Sequence, residues 1–400
     1  MKYITVREAA EKWQISSRRV QQYCLDERIE GAKKVGASWL IPDDTLKPND
    51  PRQEKGQNDD FLIFSNLVDL DLLMMPLMNT PFKPGTCLDV LNAMTDGPQK
   101  DIAWAEYYYF SGQAEDAIQV ARKYLNSTEA SLRLSACWIF GYACLTTGQI
   151  HQAHRALEAV NAMLVDEAGD SSLSQAELAL VASGMAVLLH LPVSERLPSV
   201  QEFVPLLPPG LRAFALYIQA HHLYLQGNYE KSLGTIESAL AMGGANYPIP
   251  AIYLHLAAIM NCMSLRQVEE AERHLRAAWS LAQPDDLIEA FGEHHGLLGG
   301  MLESIFKQEW PDDFRRIINI TYRFSWGWRQ IHNPITDSSV ADNLTTTEFT
   351  IAMLVARGWT NQDISEHMNI SANTVKQYLS TIKEKLGVTQ RQDLKKYMLQ

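Results

Sequence analysis

The chain has 400 residues, enough for two to four domains, with 35 basic and 47 acidic side chains and a net charge of −12. An apolar content of 46% excludes wholesale disorder, and the overall acidity excludes a protein that simply coats nucleic acid. The charge is unevenly placed. Residues 1–42 carry 8 basic and 5 acidic groups, residues 343–400 carry 7 and 5, and the stretch between carries 20 and 37. Two basic ends on an acidic middle fit phosphate binding, which depends on local charge. Five scattered cysteines, Cys24, Cys87, Cys137, Cys144 and Cys262, make no C-x-x-C pair and no metal spacing. They predict reduced core thiols and a cytoplasmic address. The charged, amphipathic start MKYITVREAAEKW is unlike a signal peptide. The longest apolar run, Leu178 to Leu191, holds Ser183, Gly184 and His190 and is shorter than the ~20 residues a membrane span needs. A soluble protein without a membrane partner is expected.

The head, residues 1–46, opens with a capping box, Thr5-x-x-Glu8, before a short helix that turns Ala9, Ala10 and Trp13 inward. Ser16 is placed to cap a second helix with Val20, Tyr23 or Cys24 inside and Ser17, Arg18, Arg19, Gln21 and Gln22 outside. A basic hairpin follows, with Lys33 and Lys34 on one arm, Gly36 at the turn and Trp39 to Ile41 on the other. Helix-turn-helix plus hairpin predicts a winged helix. The segments Thr5-Val6-x-Glu8-Ala9-Ala10, Arg18-Arg19-Val20-Gln21, Ile29-x-Gly31-Ala32 and Val35-Gly36-x-Ser38-Trp39-x-Ile41-Pro42 resemble the excisionase and MerR-type helix-turn-helix. That resemblance implies DNA binding through Ser17, Arg18, Arg19, Gln21 and Gln22 at the major groove and Lys33 and Lys34 on the wing. Another reading is a protein-binding mini-domain, as in some members of that family.

Lys47 to Asp60 has no aromatic or aliphatic residue and is expected to be a linker. The middle, residues 61–331, has helical periodicity and an internal repeat. Gly112-Gln-Ala-Glu-Asp-Ala117 recurs as Gly148-Gln-Ile-His-Gln-Ala153, as Gly227-Asn-Tyr-Glu-Lys-Ser232 and, more weakly, as Arg266-Gln-Val-Glu-Glu-Ala271. A further copy would fall near residues 187–192, where the pattern is lost and prolines gather. Each unit predicts a helix that ends at Gly, which supplies the left-handed cap conformation, then a short turn and a second helix whose small residue allows close approach. The repeats resemble tetratricopeptide-type units with longer helices, which implies an α-α superhelix. The aromatic cluster Trp104, Tyr107, Tyr108, Tyr109, Phe110, Trp138 and Tyr142 is expected to pack between helices. The pairs His221-His222 and His294-His295 lack a third ligand at helical spacing, and no metal is expected.

After a second expected linker, residues 332–343, the tail at 344–400 writes its helix starts plainly. Thr345-x-x-Glu348 is a capping box, Thr360 and Ser371 cap the next two helices, and Thr389-x-x-Gln392 is expected to cap a fourth. Gly358 and Gly387 end helices one and three. Val375, Leu379, Ile382 and Leu386 form one apolar stripe, leaving Asn373, Lys376, Gln377, Ser380 and Lys383 outside. The pieces Leu344-Thr345, Glu348, Gly358, Asn361, Ile364, Ile370-Ser371, Thr374-Val375-Lys376, Ile382, Lys385-Leu386-Gly387-Val388, Arg391 and Leu394 closely resemble the LuxR-type DNA-binding domain. The resemblance implies a third helix in the major groove, with Asn373, Lys376, Gln377 and Ser380 towards base edges. Thr360, Asn361, Ser371, Thr374, Tyr378 and Lys383 would hold the backbone, and Leu394, Tyr397 and Met398 would make a dimer contact. Thr347, Tyr378 and Ser380 depart from the family's usual Arg, His and often-basic residue, which implies weaker non-specific binding and a changed site preference.

No phosphate-binding loop, G-x-S-x-G or H-E-x-x-H motif occurs, so neither an enzyme nor a cofactor is expected. The fold class expected is mainly α, a helical-repeat superhelix flanked by two DNA-binding heads. The function expected is that of a bacterial, homodimeric transcription regulator on double-stranded DNA. A peptide, small molecule or protein would sit in the repeat groove, and RNA polymerase is a further expected partner. The alternative is a helical-repeat adaptor or peptide sensor that recruits a partner to DNA.

Overall fold

The computed structural model describes residues 3–13, 20–21, 23–24, 29, 31–35, 38–42, 45, 73–165, 172–192, 197–337 and 340–398. The chain divides into two compact units, Met1–Leu70 and Asp71–Gln400. In the first, β1 (Tyr3–Thr5), α1 (Val6–Trp13), β2 (Lys33–Val35) and β3 (Ser38–Pro42) are set around a small core. The expected hairpin is the antiparallel pair β2–β3, in the register Lys33 to Leu40 and Val35 to Ser38. A third strand that the hydrophobic pattern did not suggest, β1, pairs with the other edge of β3, Tyr3 opposite Pro42. The Thr5 amide donates to Glu8 Oε2 at 2.7 Å and the Glu8 amide to Thr5 Oγ1 at 3.3 Å, which starts α1. Ala9, Ala10, Trp13, Val20, Tyr23, Cys24, Ile29 and Ile41 form the core. Ser16, Ser17, Arg18, Arg19, Gln22, Gly36 and the expected linker Lys47–Asp60 lie outside the described residues.

The second unit is built from helical hairpins. After α2 (Cys87–Ala93) come α3 (Pro98–Phe110) with α4 (Ala114–Ala121), and α5 (Ala130–Thr146) with α6 (Ile150–Val165). A lone α7 (Ser172–Leu188) follows, then α8 (Pro209–Leu225) with α9 (Tyr229–Ala241), and α10 (Pro248–Ser264) with α11 (Val268–Ala282). The repeated motif marks the turn of each hairpin. Gly112, Gly148 and Gly227 have φ of 78°, 73° and 74°, and Arg266 takes 61°. The amides just past each helix fold back on its last carbonyls: Gln113 donates to Tyr108 O, Gln149 to Cys144 O, Asn228 to Leu223 O and Gln267 to Cys262 O, all at 2.8 or 2.9 Å. The small residues Ala117, Ala153, Ser232 and Ala271 are at most 1% exposed, where the two helices meet.

The same turn recurs after α7 without glycine. His190 has φ of 51° and the Leu191 amide donates to Ala186 O at 2.7 Å. The pattern is lost in sequence at 187–192 because histidine fills the left-handed position, at a local cost of about 1 kcal/mol or more.

A 26-residue helix, α13 (Pro311–Thr336), preceded by the short α12 (Glu289–His294), runs across these turns. Arg323 Nε donates to Thr146 O at 3.1 Å, Trp328 Nε1 to Leu188 O at 3.0 Å and His332 Nδ1 to Leu189 O at 2.9 Å. These are carbonyls that the ends of α5 and α7 leave without an intrahelical donor. Gly327 permits the approach, since a Cβ there would lie 2.2 Å from Leu145 O. The linker expected from residue 332 is therefore helical to Thr336. Pro334 sits in the last turn, where it forgoes the bond to the carbonyl four residues back and the helix ends soon after, and Asp337 closes it with φ of 55°.

Apolar burial runs almost all round α5 and α10, the central helices. All five cysteines are buried and unbonded. Tyr109, Phe110, Trp138 and Tyr142 are buried among other rings, Trp138 and Tyr142 stacked at 5.7 Å. His221, His294 and His295 are buried, and among the described residues no cluster suits a metal ion. None of the described helices is long and apolar enough to cross a membrane.

Glu289 on α12 accepts from Thr146 Oγ1 at 3.0 Å, and burial, reinforced by nearby Glu293, pushes its carboxyl up to about 8. A folded-state value above the unfolded one gives stability that is complete at acid pH and drains away as pH rises through about 8. The urea midpoint should fall between about pH 5 and pH 8. Glu289→Gln, which cannot ionise, should flatten part of that slope in the same unfolding series.

Candidate nucleic-acid interface

The tail comprises α14 (Thr346–Ala356), α15 (Asn361–His367), α16 (Ala372–Leu386) and a 3₁₀ turn at Arg391–Tyr397. Both capping boxes form. Thr345 Oγ1 accepts from the Glu348 amide at 3.3 Å while Glu348 Oε2 accepts from the Thr345 amide at 2.7 Å. Thr360 and Asp363 do the same at 3.1 and 2.8 Å. Ser371 Oγ accepts from the Thr374 amide at 3.0 Å. The expected fourth cap at Thr389 does not form. Gln390 precedes the 3₁₀ turn and makes no side-chain cap, because the seven-residue segment is anchored by burial of Leu394 instead.

Asn369, with φ of 52°, closes the turn between α15 and α16. Val375, Leu379 and Ile382 are buried, so α16 presents its opposite face outward. Asn373, Lys376, Gln377 and Ser380 are exposed on that face. Ser371 and Thr360 are exposed beside it, while Asn361, Thr374, Tyr378 and Lys383 are half-buried. Arg391 binds Asn361 Oδ1 and Trp359 O, which fixes Asn361 as part of the scaffold as well as a candidate phosphate contact. Lys385 Nζ reaches Glu348 Oε2 at 2.7 Å. Burial opposes the Glu348 charge, but hydrogen bonds from Lys385 and Thr345 outweigh it and hold the carboxyl below its ordinary range.

The candidate dimer residues divide. Leu394 and Met398 are 0% and 3% exposed, because they fill the inner side of the 3₁₀ turn against α14 and α16, and only Tyr397 is half-buried. In the head, Gln21, Lys33 and Lys34 are exposed.

The tail also packs against the hairpins, through residues the sequence did not single out. Arg357 Nη2 donates to Tyr224 OH at 2.8 Å and to Leu297 O at 2.7 Å. Arg266 Nη2 donates to Gly358 O at 2.6 Å, and its guanidinium lies 6.0 Å from the Trp359 ring centre. His367 Nε2 is 2.8 Å from Gly299 O. Docking uses α14 and α15 and leaves the outer face of α16 open. One signal could have flagged this contact: the repeat motif carries Arg where its other copies carry Gly.

Residues 342–398 match the family described as bacterial regulatory proteins, luxR family. No curated protein and no solved structure matches the chain. The tail is thus a LuxR-type helix-turn-helix, a non-enzymatic DNA-binding domain, in a mainly helical protein.

Truncating the docking cation should loosen the tail without unfolding it. Arg357→Ala removes two hydrogen bonds worth about 1–3 kcal/mol together. Hydrogen exchange should then show faster amides across 346–367 while α5 and α10 keep their protection.

Proposed function

We propose that the protein is a sequence-specific transcription regulator whose tail reads the major groove through α16. Asn373, Lys376, Gln377 and Ser380 face base edges, where Lys suits guanine O6/N7 and Gln suits adenine N6/N7. Thr360, Asn361, Ser371, Thr374, Tyr378 and Lys383 hold the phosphate backbone through hydroxyls, amides and charge. The single observation that carries this reading is the exposed polar face of α16 over a buried apolar one, inside the segment that matches the LuxR-type family.

The head is a second DNA reader of the excisionase or MerR kind, using Ser17, Arg18, Arg19, Gln21, Gln22, Lys33 and Lys34. Joined in one chain, two modest binders gain from effective concentration rather than from new contacts. The helical hairpins are tetratricopeptide-like repeats that serve as the sensing or docking domain. Their shared turn, and the small buried residue in each second helix, support that assignment. Because Leu394 and Met398 face inward, a homodimer through the 3₁₀ turn draws mainly on Tyr397. The domains divide as 1–46, 61–336 and 344–400, with the end of the middle domain, expected at 331, moved to the end of α13.

The test uses the full chain and duplexes recovered by selection from a random-sequence pool. Lys376→Ala should weaken the selected duplex by about 1–3 kcal/mol and relax one base position. Lys383→Ala should weaken all sequences alike and lower the salt slope by about one. Arg18→Ala with Arg19→Ala should weaken binding separately. Unchanged affinity in a folded Lys376→Ala protein would remove the reading of α16.

A further inference from the structure

A cavity of about 120 Å³ opens where three parts of the second unit meet: the ends of the hairpin helices, one face of α13 and the entry to α14. Tyr142, His221 and His294 line its deep side and are 2–3% exposed. Phe324 and Trp328 from α13 and Phe349 from α14 give aromatic walls. An apolar cavity of about 150 Å³ admits benzene, so one ring is the size limit here.

The hydrogen bonds fix what the deep side offers. His294 Nδ1 lies 2.8 Å from Ala290 O and must donate to it, so His294 Nε2 accepts the Tyr217 hydroxyl proton at 2.7 Å. Tyr217 oxygen then accepts from His221 Nδ1 at 3.3 Å, which leaves His221 Nε2 as a bare acceptor. That atom and the Tyr142 hydroxyl are both buried without a partner. Two orphaned groups of this kind cost free energy unless something pairs with them. The imidazoles are uncharged, since burial holds His221 well below its ordinary value and takes His294 down to about 4. The deep side therefore does not attract an anion. Arg329, lining the same cavity with an unpartnered Nε, is the cation that makes an anion worth testing.

We propose that this cavity binds an uncharged single-ring molecule bearing one donor and one acceptor, such as a phenol or cyclic amide, and that its occupancy sets how firmly the DNA-binding tail is held to the hairpins. The molecule's donor meets His221 Nε2 and its acceptor meets the Tyr142 hydroxyl. The ring stacks among Phe324, Trp328 and Phe349. Because Phe349 belongs to the tail and Trp328 to α13, filling the space favours the docked arrangement. The coupling to DNA rests on the regulator reading above; the binding site does not.

The full chain is titrated with phenol, 2-pyridone, benzoate and toluene by calorimetry and ligand-observed NMR, and its affinity for the selected duplex is measured with and without each. Phenol or 2-pyridone should bind one per chain. Tyr142→Phe should lower that affinity about tenfold without lowering the melting temperature, since the lost hydroxyl has no partner to abandon. Saturating ligand should shift duplex affinity several-fold, and duplex should shift ligand affinity by the same factor. No binding by phenol or 2-pyridone at about 10 mM would overturn the site, as would affinity indifferent to both Tyr142→Phe and the space-filling Ser325→Leu. Tighter binding of benzoate or toluene would overturn the ligand class, and ligand binding with unchanged duplex affinity would overturn the coupling. If no duplex emerges from the selection while phenol still binds, the regulator reading fails and the site stands.

Discussion

Helix ends with unsatisfied carbonyls govern the second unit. Every hairpin stops its first helix with a left-handed residue, and the closing hydrogen bonds satisfy only some of the last carbonyls. Others are met by side chains from elsewhere. Arg323, Trp328 and His332 reach Thr146 O, Leu188 O and Leu189 O, while Arg357 and His367 of the tail reach Leu297 O and Gly299 O, backbone carbonyls of the 3₁₀ turn and loop that follow α12. Arg323 brings a cation to the end of α5, where the helix carries partial negative charge. The long α13 and the DNA-binding tail are thus held by the same kind of contact.

Local chemistry made much of this legible in advance. The tail's capping boxes, its stopping glycines and the stripe Val375, Leu379, Ile382 are interactions between residues three or four apart, and they form in the structure. The repeat turns were legible for the same reason, down to the small residues Ala117, Ala153, Ser232 and Ala271. The turn at His190 was not, because a histidine, packed against Trp328 and His332, holds the left-handed position that a glycine marks elsewhere. Strand β1 was missed since three residues carry too short a pattern. The 3₁₀ turn at Arg391–Tyr397 was expected as a capped helix, but burial of Leu394 outweighs the Thr389 signal.

The candidate site splits along the same line. The exposed face of α16 follows from periodicity alone. The docking contacts join residues 60 to 133 positions apart, Leu297 with Arg357 and Tyr224 with Arg357, and the cavity brings together residues as distant as Tyr142 and Phe349. No local spacing encodes such pairs. Polar residues such as His221 and Glu293 gave only the unspecific signal of polar side chains in apolar helices: His221 meets Tyr217 one turn away on its own helix, whereas Glu293 is met by Tyr109 and Tyr253 from other helices.

Arg266 gives the tail's attachment a thermodynamic consequence. A branched or long side chain in left-handed backbone is strained, and here the strained residue extends its guanidinium to Gly358 O and Asp363. The penalty is local to one hairpin, while the compensation arrives only when a segment some ninety positions away is in place. Separated from its tail, that hairpin would retain the penalty and lose the compensation. Folding of the repeat and seating of the reader are therefore not independent equilibria: whatever steadies one must steady the other by an equal amount.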